Sequence, residues 1–123
     1  MFVMSVSYSI DLKQQVVYTQ VVGVIDGPQL YEHQVRLGSD PDFHSEMREL
    51  MDCIDFKNAK LTTILNSYLV KSSPWKSSAR RAIVVSGSLA FGFLSVFQKL
   101  MSNAHGDISI FRDMESAKEW LDL

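Results

Sequence analysis

Residues Arg80 to Met101 read RRAIVVSGSLAFGFLSVFQKLM, and two hydrophobic periods meet inside this stretch. Ala82, Ile83, Val84 and Val85 form a continuous apolar run rich in β-branched side chains. Such a run predicts a short strand buried on both faces. Ser86-Gly87-Ser88 breaks it. From Ala90 the period becomes helical, because Ala90, Phe93, Leu94, Phe97, Leu100 and Met101 fall on one face. A buried strand feeding an amphipathic helix is half of a βαβ unit, so the remaining elements are expected to surround a largely parallel sheet.

Toward the N-terminus, Val6, Tyr8, Ile10 and Leu12 alternate with Ser5, Ser7, Ser9 and Asp11, the pattern of a strand with one wet face at a sheet edge. Lys13-Gln14-Gln15 connects it to Val16–Val22, and the two fold most simply as an antiparallel hairpin. Asp26 and Pro28 start a helix that runs to about Leu37 and is stopped by Gly38-Ser39-Asp40-Pro41. Phe43 to Met47 reads as a further helical turn, Leu50 to Ile54 as a short strand, and Asp55 to Asn58 as a loop. Leu61, Ile64, Leu65, Tyr68 and Leu69 predict a helix ending near Ser72, before the break at Ser73-Pro74. After the central stretch, Ile108 to Phe111 gives the last strand, and Asp113 caps a terminal helix docked by Met114, Ala117, Trp120 and Leu121. The expected order is ββαβαβαβα, a single α/β domain over residues 1–123 with about four helices.

A chain of 123 residues supports one hydrophobic core. Its net charge of -2 gives no overall pull toward nucleic acid, and none is expected as a partner. Cys53 is the single cysteine, which excludes a disulfide framework and a cysteine-based zinc cluster and suits a reducing cytoplasm. MFVMSVSYSIDL lacks a basic n-region and a long apolar run, so no signal peptide is expected. Nothing reaches the length of a membrane span.

Gly87-Ser88-Leu89-Ala90-Phe91-Gly92 has the glycine spacing of a phosphate-binding loop, but Phe93 and Leu94 stand where Lys and Ser or Thr are required. Nucleoside-triphosphate hydrolysis is therefore not supported. Exposed N–H groups at a helix N-terminus can still hold an anion; the alternative is a turn that only connects two elements. Phe91 lies off the apolar face of its helix, exposed or against another element. His33, His44 and His105 show no metal-ligand spacing, G-x-S-x-G is absent, and Cys53 has no base beside it in sequence. No cofactor is implied.

Charge is distributed unevenly. Residues 1–56 hold nine acids and three bases, residues 57–106 hold no acid and seven bases, and residues 107–123 hold five acids and two bases. The middle cations are Lys57, Lys60, Lys71, Lys76, Arg80, Arg81 and Lys99, with Trp75 among four of them. They form either a surface for an anionic ligand or a solvated set paired with acids elsewhere.

The segments Tyr8-Ser9-Ile10-Asp11, Asp40-Pro41-Asp42-Phe43, Met51-Asp52, Arg81 to Val85, Ala90-Phe91-Gly92, Ile110-Phe111-Arg112-Asp113, Ala117 and Glu119-Trp120-Leu121 resemble the STAS domain. The likeness is to the small stand-alone bacterial proteins with a SpoIIAA-like fold, distantly like anti-sigma factor antagonists and CRAL-TRIO lipid-binding domains. The resemblance implies a non-enzymatic cytoplasmic domain. Anti-sigma factor antagonists present a phosphorylatable serine in an Asp-Ser-Ser/Ala-Gly turn. The corresponding stretch here, Asp52 to Thr62, has no matching serine, and only Thr62 and Thr63 lie near, so no phosphoserine switch is carried over.

The resulting expectation is a binding or regulatory module that recognises an anionic small molecule, lipid or protein partner near the N-terminus of the helix from Leu89. Its site would use Ser86, Gly87, Ser88 and Phe91 with Lys71, Lys76 or Arg80 nearby. The second expectation is a protein-interaction module that acts by self-association as a homodimer or through an anti-sigma-like partner. An enzyme is the third, with Cys53 as its best nucleophile.

Overall fold

In a computed structural model, residues 6–25, 27–59, 73–88, 91, 92, 95, 98, 99 and 106–123 are described. The N-terminal hairpin joins β1 (Val6–Asp11) to β2 (Val16–Val21) in antiparallel register, Val6 opposite Val21 and Asp11 opposite Val16. Its turn is built from side chains. Asp11 Oδ1 accepts the Gln14 N–H at 3.0 Å, and Gln15, at φ 59°, donates from Nε2 to Leu12 O at 2.6 Å. Leu12, read as a strand residue, belongs to this turn and is exposed.

Helix α1 (Gly27–Gly38) follows the expected bounds. Phe43 to Met47 forms no helix; it makes successive turns through Phe43 N–H to Asp40 O and Met47 N–H to His44 O, each at 3.1 Å. Phe43 packs edge-on against the buried Trp75 at 5.0 Å, a tertiary contact that outweighs the short helical pattern. Two strands were not expected. β3 (Gly23–Ile25) and β5 (Phe56–Ala59) pair in parallel as a small second sheet, anchored by Gly23 N–H to Asp55 O at 2.9 Å. Gly23, at φ 74°, redirects the chain from β2 into β3. Such short strands leave too few residues for a period to register.

β4 (Arg48–Cys53), β6 (Arg80–Val85) and β7 (Asp107–Phe111) complete the main sheet in the order β1-β2-β4-β6-β7. β2, β4, β6 and β7 run parallel; only the β1 edge is antiparallel. Helix α2 (Met114–Trp120) closes the chain, with Asp113 accepting the Ser116 N–H at 2.7 Å. The described chain is thus an α/β fold with a mixed five-strand sheet and two bounded helices, rather than the expected order with four. The helix predicted over 61–72 lies outside the described residues, as do Lys71, Thr62 and Thr63. After Gly87, residues Ser88, Phe91, Gly92, Ser95, Gln98 and Lys99 are helical.

The strand that decides the fold behaves as its apolar run requires: Ala82, Ile83, Val84 and Val85 are all buried. Ile83 and Val85 join Val6, Val21, Cys53, Phe56 and Ile108 on the face that carries α1. Ala82 and Val84 join Leu50, Ala117 and Leu121 beneath α2. Full burial of each valine, leucine, isoleucine or phenylalanine among them stabilises by about 1.5–3 kcal/mol relative to exposure.

Candidate functional site

β6 separates the residues that the sequence grouped. Ser86, Gly87 and Ser88 lie exposed beyond its C-terminal end, where Gly87 adopts φ 85° and Ser86 Oγ donates to Ile54 O at 3.1 Å. Arg80 is its first residue, so six strand steps put it roughly 20 Å from Ser86. Arg80 is spent on α2: Nη1 donates to Trp120 O at 2.6 Å, Nη2 pairs with Asp122 at 2.9 Å, and the guanidinium lies 5.7 Å from the Trp120 ring centroid. It satisfies the Trp120 carbonyl at the helix C-terminus, where a cation is favoured. Lys76 lies before β6, at the same remote end, in a 2.8 Å ion pair with Glu46. That pair holds the Glu46 carboxyl below its ordinary range, first through the hydrogen bond from Lys76. The two described cations of the expected site are therefore not brought to Ser86.

Trp75 is no surface residue either. It is buried, with the Arg81 guanidinium 4.8 Å from its ring centroid. Arg81 Nε donates to Glu49 Oε1 at 2.9 Å, and Glu49 Oε2 accepts from Thr19 Oγ1 at 2.8 Å. Glu49 is 1% exposed, so this is an internal ion pair on adjacent strands, in register. The only sequence signal was that each charge sits at the start of an apolar strand run; the register that opposes them is a tertiary fact.

Phe91 is half-buried against the core of Val6, Cys53 and Val85. Above its ring, at 4.4 Å, lies Arg112, exposed at the C-terminal end of β7. No carboxylate pairs with Arg112 among the described residues. Sequence reading passed over Arg112 because it falls outside the acid-free block; its position directly after the last strand was the available signal. The C-terminal ends of β4, β6 and β7 thus gather Ile54, Ser86 to Ser88, Phe91 and, among the described residues, the Arg112 cation.

Cys53 is buried, and burial pushes its thiol well above the ordinary range, with Glu49 and Asp52 acting in the same direction. Burial of this kind disfavours the thiolate, the form in which a cysteine acts as a nucleophile. Labelling of Cys53 by a water-soluble maleimide is expected to be slow in the folded chain and fast in denaturant; equal rates would contradict this burial. Among the described residues no three His, Cys, Asp or Glu side chains cluster to hold a metal ion, and no helix is long and apolar enough to cross a membrane.

On α1, His33 is buried edge-on to Tyr8 at 5.5 Å, and its Nδ1 has no hydrogen-bond partner among the described residues. Burial lowers the imidazole below its usual range; Arg81 and Arg36 add to this and Glu49 opposes it. An unfolded chain takes up this proton near pH 6.5, above the native value. Stability is therefore expected to fall as pH drops below about 6.5, by at most about 1.4 kcal/mol per pH unit, and to level off below the native value. Denaturant titrations across pH should show that slope flattened in His33→Leu. An unchanged slope would contradict it.

Two grooves flank the β1 edge. One, of about 450 Å³, lies on the α2 side of the sheet and is lined by Ser7, Ser9, Tyr18, Gln20, Asp52 and Met114, among others. The other, of about 480 Å³, lies on the α1 side by Tyr8, Ile10, Arg36, Asp40 and Asp42. There Tyr8 donates to Asp40 Oδ2 at 2.8 Å, and burial followed by the Asp40 contact pushes its hydroxyl up to about 12.

The sequence matches no protein-family profile. It also matches no curated protein. Among solved structures it is similar to an uncharacterised protein of the DUF3478 family with a SpoIIAA-like fold from Shewanella loihica PV-4. The identity is 20%, the match covers 95% of this chain and 94% of that one, and the TM-score is 0.64. The main sheet described above and this likeness agree with the resemblance read from the sequence: the chain has a SpoIIAA-like fold.

Proposed function

We propose that this chain is a non-enzymatic binding or regulatory module of the cytoplasm, recognising an anionic group at the C-terminal ends of its parallel strands. The group belongs to a small molecule, a lipid head group or a protein face. Arg112 carries the reading: an exposed guanidinium stacked on Phe91, without a carboxylate partner among the described residues, beside the turn at Ser86, Gly87 and Ser88. The ends of parallel strands are where open α/β sheets place their ligands. Stacking leaves the edge of the guanidinium fork available for charge-assisted bonds to oxyanions. Lys76 and Arg80 have no part in this site.

The test is an NMR titration with inorganic phosphate. Shift changes are expected at Ser86, Gly87, Ser88 and Arg112, with affinity reduced about tenfold in Arg112→Ala. Changes elsewhere, or equal binding by the variant, would contradict the reading. A second reading, a protein-interaction module, is favoured by the open β1 edge with a groove on each face.

A further inference from the structure

We infer that β1 is a docking edge for an extended segment of a partner protein that carries basic side chains at alternate positions. This rests on the protein-interaction reading and is independent of the anion site at Ser86. β1 pairs only with β2 among the described residues, so its alternate residues aim their N–H and C=O groups away from the sheet. Natural edges are blunted by Lys, Pro or a bulge. The β1 sequence VSYSID has neither residue, and its register with β2 is unbroken.

A strand added there would run about 4.8 Å beyond β1 and send successive side chains to opposite faces of the sheet. Each face already has a groove. On the α1 side, Asp40 and Asp42 lie at the groove, and its one cation among the described residues, Arg36, is paired with Glu32 at 3.4 Å. This face fits a Lys or Arg side chain. On the α2 side, Ser7, Ser9, Tyr18 and Gln20 form a polar wall beside Leu50 and Met114, and the one acid, Asp52, and one base, Lys118, among its described residues leave this groove without the acidic bias of the other, which suits small or apolar side chains. Main-chain bonds supply affinity in this mode and the alternating pockets supply selectivity.

The probes are acetyl-Lys-Val-Lys-Val-Lys-Val-amide, its Glu-for-Lys counterpart, and two N-methylated forms of the first, methylated at the odd or at the even residues. Amide shifts and hydrogen exchange are read on the full chain. The basic peptide is expected to shift and protect amides of residues 6–11 and to shift residues 40–42. The acidic peptide and one of the two methylated forms should bind about tenfold more weakly. Asp42→Lys should weaken the basic peptide about tenfold and strengthen the acidic one.

Equal binding by both methylated forms, or shifts confined to another surface, would overturn the docking edge while leaving the interaction reading standing. No shift with any peptide at millimolar concentration would overturn the docking edge. A dimer in light scattering with β1 amides already protected would overturn it in favour of a second copy of this chain.

Discussion

Replacing Glu49 with alanine is expected to destabilise the chain by about 3–5 kcal/mol, the cost of removing one partner of a buried ion pair. The carboxylate is 1% exposed and accepts from both Arg81 and Thr19, so its loss takes away two acceptors in a region water does not reach. At this chain length the midpoint of thermal unfolding should fall by roughly 12–20 °C. The paired change Glu49→Leu with Arg81→Met removes both charges and keeps the volume. It is expected to recover most of the stability, since buried ion pairs are seldom better than the apolar packing that replaces them. A loss below about 1 kcal/mol for Glu49→Ala would place the pair in the energetic range of a surface contact and contradict its burial.

Gly106→Ala should cost about 3 kcal/mol for a backbone reason. Gly106 sits at φ 129°, a conformation side-chain-bearing residues rarely adopt, and a Cβ built there would lie 2.7 Å from Arg81 Cδ and 3.0 Å from Ala79 O. Strain and overpacking each contribute about 1–3 kcal/mol. The clash falls on the stem of the arginine that holds Glu49, so the effects of Gly106→Ala and Glu49→Ala should be less than additive in a double-mutant cycle. Full additivity would show that Gly106 does not act through Arg81.

What was legible in the sequence followed from periods and punctuation. The alternation in β1, the apolar run of β6, and the Asp113 cap each give a local signal strong enough to survive folding. What was not legible depends on partners distant in sequence. Arg80 serves a helix end forty residues later, and Glu49 meets Arg81 only because β4 and β6 pair in that register. The acid-free block left open either one cationic surface or cations paired with acids elsewhere, and Lys76, Arg80 and Arg81 are paired with Glu46, Asp122 and Glu49. A strand inside that block carries its two ends to opposite ends of the sheet, leaving Ser86 with Arg112, a cation that directly follows the next strand. The small β3–β5 sheet escaped for a different reason, since three or four residues are too few to display a period.

The proposed anion site lies where Arg112 stands over Phe91. Native mass spectrometry of the chain purified from its own host, beside a denatured sample, tests it most directly. The wild-type chain is expected to carry an anionic molecule that is released on denaturation and is missing from Arg112→Ala purified the same way. An equally loaded Arg112→Ala chain, or a wild-type chain that is empty and gains no mass with added phosphate or anionic lipid, would contradict it.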